Sequence, residues 1–482
     1  MSIENITVSN IDNSDDILKF ELVNVNISIA NSLRRIILSE IPCVVFKTSP
    51  YEESKAEIDI NTTRMNNELI KQRLSCIPIH INDRNINIDN LVLEIDEKND
   101  TDSIKIITTK DFKITDKQSK KNVTLEIRNT IFPPNKITNN YIDFVRLMPK
   151  TSITEGEQLK LTCDFSISNA KDDSMFNVVS NCSYGFTKDN NKVNQAREQL
   201  ETVLREKYDD QNKIKQELKD FDLLTSQRYF KQNDEGQPNS FDFIIETIGI
   251  YTNFELVALA CDVLIEKLNN INEKINSDDT LITKSNVTIN NCYDILLKNE
   301  DYTLGKIIEY IFYEYYYKSK ESTFVGFIKQ HPHIDESVIR IAFDKKRNKD
   351  HVKSCFNNTI NMLIEIYTKI SNEFIETKKN YSSMQKLKQE SKSKEKKVEE
   401  PKSSSLPIPN KTNIKNEVNE EDLTEDEEDK DTDDDVTEDE GSIDDVIEEE
   451  ATEDEATEDE NEDIENKKGS FLLSKGTRDP KI

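Results

Sequence analysis

Two stretches of this chain each carry an apolar stripe too long to leave uncovered, and they fall in different halves of the sequence. In the first, Val257, Cys261, Leu264, Ile265 and Leu268 recur at helical intervals over 253–272. In the second, Val352, Phe356, Ile360, Leu363, Tyr367, Ile370 and Phe374 do so over 350–376. Residues three and four apart share one helix face, so each stretch reads as a long amphipathic helix that needs a partner surface. Each also follows a strand and a shorter helix. In the first half, Leu18, Phe20 and Leu22 alternate in a strand over 17–25. Asn26 or Ser28 then caps a helix striped by Ile29, Leu33, Ile36 and Ile37. Pro42 ends that helix by pushing Ile41 into extended backbone, and 43–46 reads as a short strand. In the second half, a strand over 287–297 leads to a helix capped by Thr303 and striped by Leu304, Ile307, Ile308, Ile311, Phe312 and Tyr315. Strands over 323–329 and 338–343 follow. This echo predicts an α+β chain with two related folds, joined as an internal pseudo-dimer. Its long helices pair through Val257, Cys261, Leu264 and Leu268 on one side and Phe356, Leu363 and Ile370 on the other.

Between the early strand–helix unit and the first long helix lies a different kind of sequence. Short alternating runs at 91–95, 103–108, 123–127 and 159–167 sit between Asn- and Asp-rich turns, with one helical stretch at 68–74. This reads as a mostly β insert. A charged helical stretch over 194–221 and a buried strand over 241–248 precede the long helix, for which Asn253 is the expected cap. The expected boundaries are 1–47 with 185–275 for the first fold, 48–184 for the insert, 276–286 for a linker and 287–378 for the second fold.

Charge separates the remainder. Thirty acidic residues and a single lysine lie between Glu417 and Glu465, so the first 416 residues hold only −5 of the chain's net charge of −30. The region 379–482 lacks the apolar content to offset the entropy of ordering and is expected to be disordered. Within it Thr424, Thr437, Thr452 and Thr457 each open a Thr-Glu-Asp-Glu repeat, a context that suits acidophilic kinases. The near-neutral body lacks the clustered cations that phosphate neutralisation requires, so DNA and RNA contact is expected only through partners.

Seven cysteines (Cys43, Cys76, Cys163, Cys182, Cys261, Cys292, Cys355) are widely spaced without a CxxC pair, and read as free thiols in a reducing compartment. His331 and His333 flank Pro332 with no third ligand nearby in sequence, and His80 and His351 are distant. They read as a turn, and no metal or cofactor is expected. Tyr313, Tyr315, Tyr316 and Tyr317 read as packing residues, since Glu309 and Glu314 among them would repel phosphates. No apolar run reaches the ~18–20 residues of a membrane span, and the polar start carries no signal peptide pattern. Neither a Gly-rich phosphate loop, a nucleophile–base grouping nor an Asp triplet for Mg²⁺ is present in the sequence. Catalytic residues are therefore not expected in this chain.

The run from Asn31 to Pro42, Asn-Ser-Leu-Arg-Arg-Ile-Ile-Leu-Ser-Glu-Ile-Pro, resembles the alpha motif of multisubunit RNA polymerases. That motif is found in the bacterial alpha subunit, in its archaeal counterpart and in the third-largest subunit of polymerase II. Asn61-Thr-Thr, the run from Asn67 to Pro78, Ala170-Lys-Asp-Asp, Phe176-Asn-Val-Val and 243–268 extend the resemblance. The run Asn299-Glu-Asp-Tyr-Thr-Leu-Gly305, Phe324-Val-Gly-Phe, His331-Pro-His and Val338-Ile-Arg-Ile resemble the smaller partner, the eleventh subunit of polymerase II or its archaeal equivalent. The two together resemble the fused subunit of giant cytoplasmic DNA viruses, and the abundance of Ile, Asn and Lys suits such an AT-rich genome. One departure is clear: 82–100 contains no Cys or His, so the zinc site that many third-subunit relatives carry in the insert lacks its ligands.

The resemblance implies a non-catalytic assembly subunit of a DNA-directed RNA polymerase, a nucleotidyltransferase complex. Its partners would be the second-largest, largest and small subunits. It implies docking through Asn31, Leu33, Arg34 and Arg35 on the first short helix and Thr303, Leu304 and Gly305 on the second. It implies an intracellular site, the host cytoplasm (viral factory) and virion for a viral chain and the nucleus otherwise. An acidic-tailed chaperone or nucleic-acid mimic is the alternative, but it leaves 31–42 and 299–305 unexplained.

Overall fold

The computed structural model describes residues 6–14, 16–82 and 87–398, with the side chains of 380 and 382–398 excepted. The chain opens with β1 (Thr7–Ser14), β2 (Ile17–Val23), α1 (Ile27–Ser39) and β3 (Cys43–Val45). The insert follows as β4 (Ala56–Asn61), α2 (Asn67–Ser75), β5 (Leu91–Lys98), β6 (Lys105–Thr108), β7 (Lys113–Asp116), β8 (Lys121–Asn122), α3 (Leu125–Ile131), β9 (Asp143–Leu147), β10 (Gln158–Asp164) and β11 (Ser166–Ser168). The first half closes with β12 (Val179–Phe186), α4 (Asn190–Lys207), α5 (Gln211–Asp220), β13 (Ser240–Thr247) and α6 (Asn253–Ser277). The second half is β14 (Ile282–Lys284), β15 (Cys292–Lys298), α7 (Tyr302–Phe312), β16 (Ser322–Ile328), β17 (Glu336–Phe343) and α8 (Lys349–Val398). No helix among the described residues is long and apolar enough to cross a membrane.

Each half builds one four-stranded antiparallel sheet. In the first, the order is β1-β2-β13-β12, and in the second it is β14-β15-β17-β16. Helices pack on these sheets, and α6 lies against α8 while α1 lies against α7. One continuous core results, running from Leu18, Phe20 and Phe243 through Leu264 and Leu268 to Ile339, Phe356 and Phe374. Phe20 on β2 stacks on Phe243 of β13 at 5.0 Å and meets the edge of Phe374 from α8 at 4.8 Å. The aromatic core therefore crosses from the first sheet to the last helix. The stripe residues Val257, Cys261, Leu264, Leu268, Phe356, Leu363 and Ile370 all lie in this core with at most 1 % of their surface exposed.

The insert has its own sheet, β4-β10-β5-β7-β8, and its own core around Phe46, Phe112, Phe132, Phe144 and Phe165. The short strand β3 serves both cores. Successive strand side chains point to opposite faces, so Cys43 and Val45 enter the main core while Val44 and Phe46 enter the insert.

Several local expectations need correction. The boundary expected at 184 falls inside β12, which pairs with β13, and Phe176, Val178 and Val179 already lie in the main core. The run 123–127 forms the start of α3 rather than a strand, because the Thr124 side chain accepts a hydrogen bond from the Ile127 amide and caps a helix. Thr252, not Asn253, caps α6, through a reciprocal capping box with Glu255. Asp301, not Thr303, caps α7. The stretch expected as a linker holds β14, and β15 begins at Cys292 rather than 287. Backbone helix also continues through α8 to Val398, although disorder is expected from 379. The Lys-, Glu- and Gln-rich sequence there has good intrinsic helix propensity and extends an existing helix, which avoids the cost of nucleation. The acidic segment with Thr424, Thr437, Thr452 and Thr457 lies outside the described residues.

Candidate functional site

The short helices of the two halves meet side by side and leave a groove of about 490 Å³ between them. Its walls run along α1 from its cap to Arg35 and along α7 from Tyr302 to Tyr310. Asn26 holds the start of α1, its side chain accepting a hydrogen bond from the Ser28 amide at 2.8 Å. Asp301 holds the start of α7, its carboxylate accepting from the Thr303 amide at 2.8 Å. The apolar stripes face down into the core, so the opposite faces of both helices line the groove with Asn31, Arg34, Arg35, Tyr302, Thr303 and Lys306.

An ion pair ties α1 to the cap of α7 beside the groove: Arg35 Nη2 donates to Asp301 Oδ2 at 2.8 Å. Burial alone would raise the Asp301 carboxyl, but hydrogen bonds from Thr303 and the Arg35 guanidinium outweigh it and hold the group below the usual range. Arg34 is freer, with a long contact of 3.3 Å to Asn31 Oδ1. Its guanidinium opposes the upward push of burial on the Tyr184 phenol and the Cys182 thiol of β12. Around these cations stand exposed apolar groups: Tyr302 is 47 %, Tyr313 38 % and Ile27 37 % accessible. Rings and guanidiniums around a concave floor are the composition of a protein-binding hot spot. Lys306 donates to Glu309 of the same groove at 2.6 Å and Arg35 to Asp301, so Arg34 is the cation best placed to take a partner's carboxylate.

Not every residue expected at an interface reaches this surface. Leu33 and Leu304 are at most 1 % exposed and belong to the core. Gly305 is buried too, and a Cβ there would stand 2.1 Å from the Phe327 ring. Its place in the motif reflects the close seating of α7 on β16, so these three residues support the groove from beneath. Ile27, Tyr302, Tyr313 and Val325 line the groove and were not among the expected interface residues, although Tyr302 and Val325 lie in runs that carry the resemblance. The available signal was slight: Ile27 and Tyr302 open their helices, off the apolar stripe.

A second charge cluster joins the halves. Lys267 of α6 lies 2.7 Å from Glu40 and 3.2 Å from Glu300, with all three side chains mostly covered. Desolvation would lower the Lys267 ammonium, but the two carboxylates prevail and raise it. Desolvation raises Glu300 despite Lys267 beside it.

The profile of the family described as "RNA polymerase Rpb3/Rpb11 dimerisation domain" matches residues 19–268, from β2 through most of α6. The chain belongs to the Rpb3/Rpb11 dimerisation family. Within that family it is homologous to the alpha-like subunits of RNA polymerase. It is similar to subunit Rpo3 of the DNA-directed RNA polymerase of Methanosphaera stadtmanae, with 24 % identity over 279 residues, 55 % of this chain and 97 % of the relative. Shorter matches include subunit 3B of RNA polymerases IV and V of Arabidopsis thaliana, 40 % identical over 65 residues (14 % of this chain and 18 % of the relative). Subunit RPB3 of RNA polymerase II of Schizosaccharomyces pombe is 39 % identical over 74 residues, 15 % of this chain and 22 % of the relative. The match to the plant relative thus spans about a fifth of its length. Membership of the Rpb3/Rpb11 family accounts for α1 and α6, which both lie within or largely within the matched residues.

Proposed function

We propose that this Rpb3/Rpb11-family chain is a non-catalytic assembly platform of a DNA-directed RNA polymerase, with both partners of the alpha-like dimer fused in one polypeptide. Residues 1–275 take the part of the third-largest subunit and 287–378 that of the eleventh. Fusion makes their association intramolecular, with an effective concentration on the order of millimolar for a short linker. The α1/α7 groove receives the second-largest subunit, and the largest subunit joins afterwards. The contribution to RNA synthesis is geometric: nucleotidyl transfer and contact with DNA and RNA belong to the partners.

The observation that carries this reading is that Asn31, Arg34 and Arg35 from one half and Tyr302, Thr303 and Lys306 from the other line one groove. A docking surface made jointly by two dimerisation folds is available only when the halves are paired. Co-expression with the second-largest subunit, with recovery of the complex, tests it. Arg34→Glu should keep the melting temperature and lose the complex, since removing one partner of a buried interfacial charge pair costs ~2–5 kcal/mol. Arg34→Glu/Arg35→Glu should lose it completely, with a lower melting temperature because a carboxylate at position 35 would face Asp301. Full recovery of the complex by both variants overturns the reading.

A further inference from the structure

Away from the groove, at the opposite end of α7, three metal-ligating side chains converge. Glu321 lies just before β16, His351 in the first turn of α8 and Cys355 one turn later. His351 Nε2 is 3.0 Å from Glu321 Oε1 and 3.5 Å from Cys355 Sγ, and the three donor atoms all lie within 4.8 Å of one another. Both contacts use the same ring nitrogen. A Cys–His–Glu proton relay would need the two different imidazole nitrogens, one toward each neighbour. Here one ring nitrogen faces both neighbours, and the three ligand atoms form a single cluster.

We propose that Glu321, His351 and Cys355 form a divalent metal site with the ligand set of zinc. Tetrahedral coordination at Zn–S ~2.3 Å and Zn–N ~2.05 Å places sulfur and nitrogen about 3.6 Å apart, close to the separation present. His351 and Cys355 are four residues apart on one helix, the spacing that puts two ligands on one face. The surroundings hold the donors in place. Cys355 is buried, the Phe343 ring packs edge-on to His351 at 5.6 Å, and Arg347 lies 3.7 Å from Glu321 Oε1. That last separation is beyond hydrogen-bond length, so a metal taking the carboxylate would replace one contact, the 3.0 Å His351–Glu321 hydrogen bond, with two metal–ligand bonds. Binding forms a sulfur–metal bond and breaks the Cys355 S–H bond, with the proton leaving to solvent. Glu321 and His351 are each about one-third accessible (33 % and 30 %), so the fourth position opens to water or to a donor from a bound protein. The ion would tie the start of β16 to the start of α8. This site is remote from the insert and from the ligands missing there.

The test is titration of the full chain with Co²⁺, reading the thiolate-to-cobalt charge-transfer absorption, and with Zn²⁺ against a chromogenic chelator. One equivalent should bind with the absorption band, and Zn²⁺ should raise the melting temperature. Cys355→Ser should lose the band, whereas Cys76→Ser, which removes the exposed thiol, should keep it. Glu321→Gln and His351→Gln change partly exposed residues and should fold, with affinity lower by roughly tenfold or more. A folded wild-type chain without the band, or a band undiminished in Cys355→Ser, overturns the proposal. So does zinc affinity unchanged in both Glu321→Gln and His351→Gln.

Discussion

Single hydrogen-bonded residues also join the two halves. Ser32 of α1 and Tyr367 of α8 are fully buried with their hydroxyls 2.6 Å apart. Ser32 donates to the Ile29 carbonyl at 2.7 Å, which leaves Tyr367 as the donor between the pair. The two truncations should therefore differ. Tyr367→Phe removes a bond but strands no donor and should cost about 1 kcal/mol, whereas Ser32→Ala leaves the buried phenol unpaired and should cost about 1–3 kcal/mol. Denaturant unfolding of both variants checks the order. Glu300 offers a test by pH. Burial raises its folded-state carboxyl above the unfolded value of ~4.3, so the folded chain binds more protons in that interval. Stability from this group is full below the unfolded value and falls as pH rises through the folded one. Glu300→Gln should flatten this decline, measured as unfolding free energy across a pH series upward from ~4.3. Neither pairing is visible in sequence, because Ser32 and Tyr367 are 335 positions apart.

At the scale of elements, periodicity located the helices well and their ends poorly. The stripes of α1, α6, α7 and α8 were legible because a buried face imposes a repeat on the sequence itself. Caps were misplaced because Thr252, Asn253, Asp301 and Thr303 are all competent capping types, and only backbone geometry selects among neighbours. The C-terminal reach of α8 was missed for another reason. Beyond 378 it meets elements distant in sequence: the Tyr381 hydroxyl donates to the Asn13 carbonyl at 2.5 Å, and its ring lies 5.7 Å from Phe254. With Lys378 paired to Glu255 at 2.7 Å, these contacts fasten α8 to β1 and the start of α6. A chain ending at 377 should therefore melt several degrees below one ending at 398, by an amount consistent with about 1–2 kcal/mol. Equal melting temperatures would show that the extension contributes nothing.

At the scale of the whole molecule, the stripes of both halves are consumed within one chain. A body ending at 398 should accordingly be monomeric in light scattering, and exchange of its second half between two copies would appear as a dimer. Residues 399–482 have no apolar periodicity with which to pack, so their removal should leave the melting temperature and recovery of polymerase partners unchanged. By itself the sequence determined what is local or periodic: the α+β class, the two stripes, the β insert, the segregated acidic charge and the motif residues around α1 and α7. Those follow from side-chain chemistry repeated at 2.0 or 3.6 residues, which a linear string records directly. Only the tertiary structure decided which polar residues share a surface. Arg35 met Asp301, Lys267 met Glu40 and Glu300, and Glu321 met His351 and Cys355 because packing the stripes brought those elements together. Burial energy depends on apolar area without regard to direction, so it leaves a pattern in each helix but none in the pairs of polar groups it places side by side.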